Sequence, residues 1–137
     1  MVGALEGIRV VELAVAIQGP AASLHFANMG AEVIKVEPPF GDASRHHRGA
    51  NNTLPKEAIG SQFLALNKGK RSVSMDAHTE LGQRVLHKLL ETADVFITNY
   101  RSDALVRMGL DVNELVKKYP KLIVGKVNGF GPYGEDA

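Results

Sequence analysis

The sequence predicts an α/β fold: an open parallel sheet with helices on both faces. Short apolar or β-branched runs recur at residues 9–13, 33–37, 93–98 and 121–127, each long enough for a strand and too short for a helix. Stretches with helical spacing and helix punctuation lie between them. Strands alternating with helices are the pattern of a parallel sheet covered on both sides. The length, 137 residues, suits one domain with one core.

The first strand is expected over Arg9-Val10-Val11-Glu12-Leu13. Gly19-Pro20 then breaks the chain, and Pro20 suits the first turn of a helix, where its missing N–H costs nothing. That helix is expected over residues 20–29, with Ala21, Leu24, Phe26 and Ala27 as buried candidates and Gly30 as the residue that ends it. A second strand follows through Val33, Ile34 and Val36, with Glu37 at its carboxyl end. Strand, helix and strand over about 30 residues make a right-handed βαβ unit, and residues 30–37 are expected to be the central strand of the sheet.

Residues 38–62 show no periodicity and hold Pro38-Pro39, Gly41, Gly49, Asn51-Asn52, Pro55 and Gly60. A loop that long in a compact domain is functional or mobile. A short apolar run, Phe63-Leu64-Ala65-Leu66, precedes the basic turn Asn67-Lys68-Gly69-Lys70-Arg71, and Ser72-Val73-Ser74-Met75-Asp76 alternates as a strand does. Thr79 can cap a helix running to Thr92, with Glu80 near its positive end and an apolar stripe of Leu81, Val85, Leu86, Leu89 and Leu90. The strand at 93–98 ends in Asn99-Tyr100-Arg101. A short helix over 103–108 stops at Gly109, and Asp111 with Glu114 opens another that Pro120 ends. The last strand leads to a glycine-rich turn at 129–134.

Composition excludes several classes. A net charge of +1 supplies no field to attract nucleic acid or an anionic membrane. The absence of cysteine excludes disulfides and thiolate metal sites and fits a reducing cytoplasm. No apolar run reaches the ~20 residues of a membrane span, and the N-terminus has no signal-peptide pattern. The sequon Asn51-Asn52-Thr53 carries no meaning without secretion.

Strand, loop, helix, strand and terminal acid form a Rossmann-like layout, in which Glu37 would reach a ribose. The loop Ala14-Val15-Ala16-Ile17-Gln18-Gly19-Pro20 lacks G-x-G-x-x-G, however, and Pro20 removes an amide that would face a phosphate. A scaffold of this kind without nicotinamide or flavin is therefore favoured. The basic residues Lys68, Lys70 and Arg71, with Arg45 and Arg48, read equally as a phosphate site or as a solvated turn. His25, His46, His47, His78 and His87 show no metal-ligand spacing, no Ser–His–Asp arrangement can be argued, and Asp103, Asp111 and Glu114 read as helix caps. Asn99-Tyr100-Arg101 stands where open α/β sheets bind ligands; it is a ligand contact for adenine or pantetheine, or a plain strand terminator.

Taken together, the ordered segments 5–13, Gly19-Pro20, 30–37, 41–45, 66–73, 93–101, 108–110 and 128–131 resemble the class III CoA-transferases, the CaiB–BaiF family. It includes formyl-CoA:oxalate CoA-transferase, carnitine CoA-transferase and α-methylacyl-CoA racemase. The resemblance covers essentially the whole chain. It implies the N-terminal, CoA-binding part of the large Rossmann-like domain of an interlocked homodimer, with the rest of that domain and the small domain lying beyond residue 137. It implies acyl-CoA and a small carboxylic acid as substrates, with no metal, no nucleic acid and no membrane. In the transferases an aspartate attacks the thioester and an anhydride and an aspartyl-CoA thioester follow; the racemase branch moves an α-proton instead. Carried over residue by residue, the CoA contacts fall at Ala16 and Ile17, at Met75, Ala77 and His78, at Asn99, Tyr100 and Arg101, and at Arg107.

The chain departs from the family pattern in three places. Pro38 follows the strand-two glutamate where many members have a phosphate-pairing arginine. Ile17 occupies the place of a glutamine found in formyl-CoA transferase. The catalytic aspartate is expected downstream of Ala137, Asp136 being too near the Gly-Phe-Gly turn, so no catalytic residue is assigned to this chain and by itself it is expected to be inactive. A non-catalytic nucleotide-binding module is the alternative outside the family.

Overall fold

The computed structural model describes residues 3–129 and 131; most of the expected glycine-rich turn, and Asp136, lie outside the described residues. Along the described chain run β1 (Arg9–Leu13), α1 (Gln18–Asn28), β2 (Glu32–Glu37), α2 (Ser61–Leu66), β3 (Arg71–Ser74), α3 (Glu80–Glu91), β4 (Val95–Thr98), α4 (Ser102–Arg107), α5 (Val112–Lys118) and β5 (Ile123–Lys126). The strands form one sheet in the order β3-β2-β1-β4-β5, every neighbouring pair parallel. The expected α/β class stands. The central strand is β1 rather than residues 30–37, because β3 pairs outside β2.

Side-chain alternation gives the sheet two different faces. On one face Val11, Leu13, Val36 and Phe96 meet Leu86 and Leu90 of α3, Leu105 of α4 and Leu115 of α5. On the other, Val10, Val33, Val95 and Ile97 meet Ala22, Phe26 and Ala27 of α1. On β4 this second apolar patch extends to Ile97, level with Glu12, but on β1 and β2 it covers only the amino-terminal half of the sheet. Its carboxyl-terminal half carries Glu12 and Lys35, which are register partners on β1 and β2.

Local chemistry explains most boundaries. Met29 and then Gly30, at φ +97°, close α1 as expected. The Thr79 hydroxyl accepts from the Gly82 amide, and the Asp111 carboxylate accepts from the Glu114 amide. Asp103 is not a cap: it stands in the first turn of α4 and pairs with Arg107 one turn on. Helix α1 starts two residues before Pro20, and its buried residues are Gly19, Pro20 and Ser23, with the expected Ala21, Leu24, Phe26 and Ala27 only part-buried. On α3, Leu86 and Leu90 are buried, but Leu81 and Val85 face outward at 63% and 38% exposure. The segment from 38 to 62 is not structureless: short helical turns at Ala43–His46 and Ala50–Asn52 precede α2, which takes up the apolar run at 63–66. No described helix is long and apolar enough to cross a membrane.

Candidate functional site

A strand covered on both faces buries every side chain, so Glu12 and Lys35 have no route to water. They are 0% and 1% exposed. An isolated charge in such a place costs several kcal/mol, and the structure answers with a closed network. The Lys35 ammonium donates to Glu12 Oε1 at 2.7 Å and to the Ala14 carbonyl at 2.7 Å, and lies 3.0 Å from Asp42 Oδ2. Glu12 Oε2 accepts from the Ser23 hydroxyl and, at 2.8 Å, from the Lys70 ammonium. Lys70 completes its shell with the Pro20 carbonyl and Asn67 Oδ1, at 2.8 and 2.9 Å. Two carboxylates therefore face two ammonium groups, and the core stays neutral.

A second cluster adjoins it at the end of β2. Glu37 accepts two hydrogen bonds from Arg45, one from the Ser72 hydroxyl and one from the Asp42 amide. Burial pushes its carboxyl pKa up, but these donors more than offset that and hold it at about 2. Glu37 is therefore not a ribose acceptor: all its capacity is taken inside the protein. Four of the basic residues are likewise engaged by the protein itself, while Lys68 stays exposed. Lys70 is buried, Arg45 is bound to Glu37, Arg71 pairs with Glu32, and Arg48 donates to the Leu54 carbonyl. These cations hold the fold together; they do not form an open phosphate cradle.

The network has an upper surface, the loop between β1 and α1. Ala16 takes a left-handed conformation, φ +63°, which costs an L-residue about 1–2 kcal/mol. Five consecutive backbone groups secure it. Lys35 donates to the Ala14 carbonyl. Asn99 receives the Val15 amide at 2.9 Å and donates to the Val15 carbonyl at 2.8 Å. Asp42 Oδ1 accepts from the Ala16 amide, and Gln62 donates to the Ala16 carbonyl, both at 3.4 Å.

This brings the expected contacts other than Arg107 to one edge. Ala16 and the 54%-exposed Ile17 stand at the start of α1. Asn99, Tyr100 and Arg101 follow β4 and, with Gln18 and residues 126–129, line an open cleft of about 490 Å³. Met75, Ala77 and His78 follow β3 and share a small cavity with Tyr100. Tyr100 thus belongs to both hollows. Burial, and then the nearby Asp42 carboxylate, push its phenol pKa up, so it stays neutral at physiological pH. Arg101 is almost fully exposed, beside Asp103. Arg107 stands apart at the end of α4, 62% exposed and paired with Asp103 at 3.0 Å, outside the lining of the cleft. Among the described residues no group of histidines and carboxylates converges as metal ligands do.

Sequence reasoning missed Glu12, Lys35, Asp42 and Lys70 as a unit. A signal was available: charged residues inside strands of a parallel sheet, buried on both faces, must find counter-charges. Nothing in the spacing identifies Asp42 and Lys70 as those partners.

Comparison with known proteins places the chain in a wider group. The family model described as CoA-transferase family III matches residues 5–137. The chain is 38% identical over 130 residues to cinnamoyl-CoA:phenyllactate CoA-transferase from Clostridium sporogenes, an alignment covering 95% of this chain and 32% of that protein. It is 40% identical over 133 residues to succinate–glutarate CoA-transferase from Agrobacterium fabrum, covering 95% of this chain and 33% of that protein. The crystal structure of a CAIB/BAIF family protein from Brucella suis superposes with a TM-score of 0.89 at 37% identity, over 98% of this chain and 35% of that one. The chain therefore spans about a third of the length of the curated relatives it matches.

Proposed function

This chain belongs to CoA-transferase family III, and from that membership we propose that it is the CoA-binding part of an enzyme that moves CoA between an acyl-CoA thioester and a carboxylic acid. The observation that carries the reading is the convergence at one sheet edge. The 14–17 loop, the segment after β3 and the segment after β4 are joined there through Asn99, which is bonded to Val15, and through Tyr100, which borders both the cleft and the Met75–Ala77–His78 cavity. Ligands of open α/β sheets bind at such edges.

In this reading Asn99 and Tyr100 supply an amide and an aromatic face, Met75 and Ala77 a short apolar wall, and Arg101 a mobile positive charge for a phosphate. In the whole enzyme an aspartate carboxylate attacks the thioester carbonyl. The CoA thiolate leaves and a mixed anhydride forms; the returning thiolate opens the anhydride to an aspartyl-CoA thioester and free acid. The incoming carboxylate attacks the aspartyl-CoA carbonyl and expels the thiolate, giving a second mixed anhydride, and the thiolate then attacks the acceptor's acyl carbonyl, which yields the new acyl-CoA and frees the aspartate. The enzyme works as a homodimer in the cytoplasm and takes its chemistry from the carboxylate, without a metal. The part assigned to residues 3–129 is binding and orientation.

Isothermal titration of the chain with CoA, ADP and NAD tests this. CoA is expected to bind, ADP more weakly because it lacks the pantetheine arm, and NAD not at all. Binding of NAD without CoA would overturn the reading in favour of a plain nucleotide-binding module.

A further inference from the structure

Resting on the CoA reading above, we propose that Asp42 is a positioning residue for acyl-CoA: it locks the 14–16 loop in the shape that presents Ala16 and Ile17 to the ligand. The side chain is 1% exposed and is not among the residues lining the cleft beside Tyr100, so its part is played through the loop. One oxygen, Oδ1, does three things at once. It accepts from the Ser44 amide at 2.9 Å and from the Ser44 hydroxyl at 2.7 Å, which orders the turn Asp42 sits in, and it accepts from the Ala16 amide. The other oxygen, Oδ2, is buried with no hydrogen-bond partner among the described residues and faces the Lys35 ammonium at 3.0 Å as an ion pair. That ammonium holds the Ala14 carbonyl. Asp42 therefore grips the loop from both sides of Val15, directly at Ala16 and through Lys35 at Ala14.

The segment from 38 to 62 acquires a purpose in this arrangement. Its start carries Asp42 under the loop, and Gln62, at its end, reaches the Ala16 carbonyl from α2. The two are pinned together where the Gly60 amide donates to the Arg45 carbonyl at 2.7 Å. At Gly60 a Cβ would come within 2.1 Å of the Ser44 carbonyl oxygen. A left-handed Ala16 relaxes when released, and a relaxed loop must be reordered at the moment of binding, which weakens affinity.

The test compares Asp42→Ala, Asp42→Asn and Leu115→Ala with the parent. Leu115 is a buried residue of α5 on the opposite face of the sheet, so its truncation lowers stability without touching the loop. CoA affinity is measured by calorimetry where circular dichroism shows each variant folded, and hydrogen exchange is measured at the Val15, Ala16 and Ile17 amides. Asp42→Ala is expected to bind CoA at least tenfold more weakly and to exchange these amides at least tenfold faster. Asp42→Asn, which keeps an acceptor but loses the charge opposite Lys35, should fall between it and the parent, and stands in if Asp42→Ala does not fold. Leu115→Ala should match the parent in both readouts after correction for its folded fraction. Parent-like affinity and exchange in the Asp42 variants, or an equal loss in Leu115→Ala, overturns the proposal. If the parent itself does not bind CoA, the CoA reading falls and the positioning of acyl-CoA falls with it; faster exchange in the Asp42 variants would then still show that Asp42 holds the loop.

Discussion

Replacing Lys35 with Met should destabilise the chain by about 3–5 kcal/mol at neutral pH. Methionine nearly conserves volume, so little of this is a cavity cost. What is lost is the cation that serves Glu12 at 2.7 Å, the Ala14 carbonyl at 2.7 Å and Asp42 at 3.0 Å. Two buried carboxylates would then share Lys70 alone, and removing one partner from a buried ionic network costs about that much. Against the ~5–15 kcal/mol that holds a domain folded, the loss is severe. With an m-value of about 2 kcal/mol/M, the urea midpoint should fall by about 2 M. The pH dependence supplies a check that a simple packing defect cannot imitate. In the parent, burial pushes the Asp42 carboxyl pKa up, but the Ser44 amide and hydroxyl and the Lys35 charge bring it below the ordinary value. Without Lys35 burial is less opposed and the pKa rises. The defect is then full above that raised value and fades as the pH falls and Asp42 takes up a proton. The double variant Lys35→Met/Asp42→Asn, which restores the balance of Glu12 with Lys70, should recover part of the loss. A destabilisation below about 1 kcal/mol, or one that does not shrink as the pH is lowered through the carboxylate range, would falsify the account of a charge-balanced core.

Two further outcomes follow from the same geometry. The Glu37 carboxyl lies at about 2 in the folded chain against an ordinary 4.5, so its contribution is present above pH 4.5 and is lost as the pH falls toward 2. It is worth up to about 3 kcal/mol, and urea titrations between pH 6 and pH 3 should show a steeper loss for the parent than for Glu37→Gln. Gly19→Ala would place a Cβ 2.3 Å from the Ala14 side chain and 3.6 Å from Asn99; overpacking of this kind costs about 1–3 kcal/mol. Because the clash falls on the 14–16 loop, the melting temperature and CoA affinity should drop together, and a variant with parental values of both would show that the loop yields freely.

The elements whose start and stop are written in neighbouring residues are legible in the sequence. Arg9–Leu13 is a strand at the residues expected, Thr79 and Asp111 cap the helices assigned to them, and Gly30 ends α1 at positive φ. Each is settled by interactions within a turn or two. The class of the sheet is equally legible, because strand–helix alternation leaves a parallel arrangement as the economical solution. Of the segments named as ligand contacts, Asn99-Tyr100-Arg101 is marked by its place at a strand's carboxyl end, whereas those after β1 and β3 come from the family resemblance.

The rest needs the third dimension. Lys70 reads equally as part of a phosphate site or of a solvated turn, yet it serves a Glu12 oxygen 58 residues away in sequence. Glu37 stands where a ribose-binding acid would, a reading the loop without G-x-G-x-x-G already disfavours, but that Arg45 and Ser72 consume it is seen only in the fold. The long segment from 38 to 62 lacks periodicity because its order comes from a few tertiary contacts, Asp42 with Lys35 and Gly60 against Ser44, and such contacts leave no period in the sequence. From its residues alone this chain determines an α/β sheet, the ends of most of its helices and strands, and its likeness to a CoA-transferase family, since these rest on local propensity and ordered motifs. Which charges are buried, how they balance and what they hold in place is decided only in the folded chain, because electrostatic partnership depends on distance in space and on the water that packing excludes.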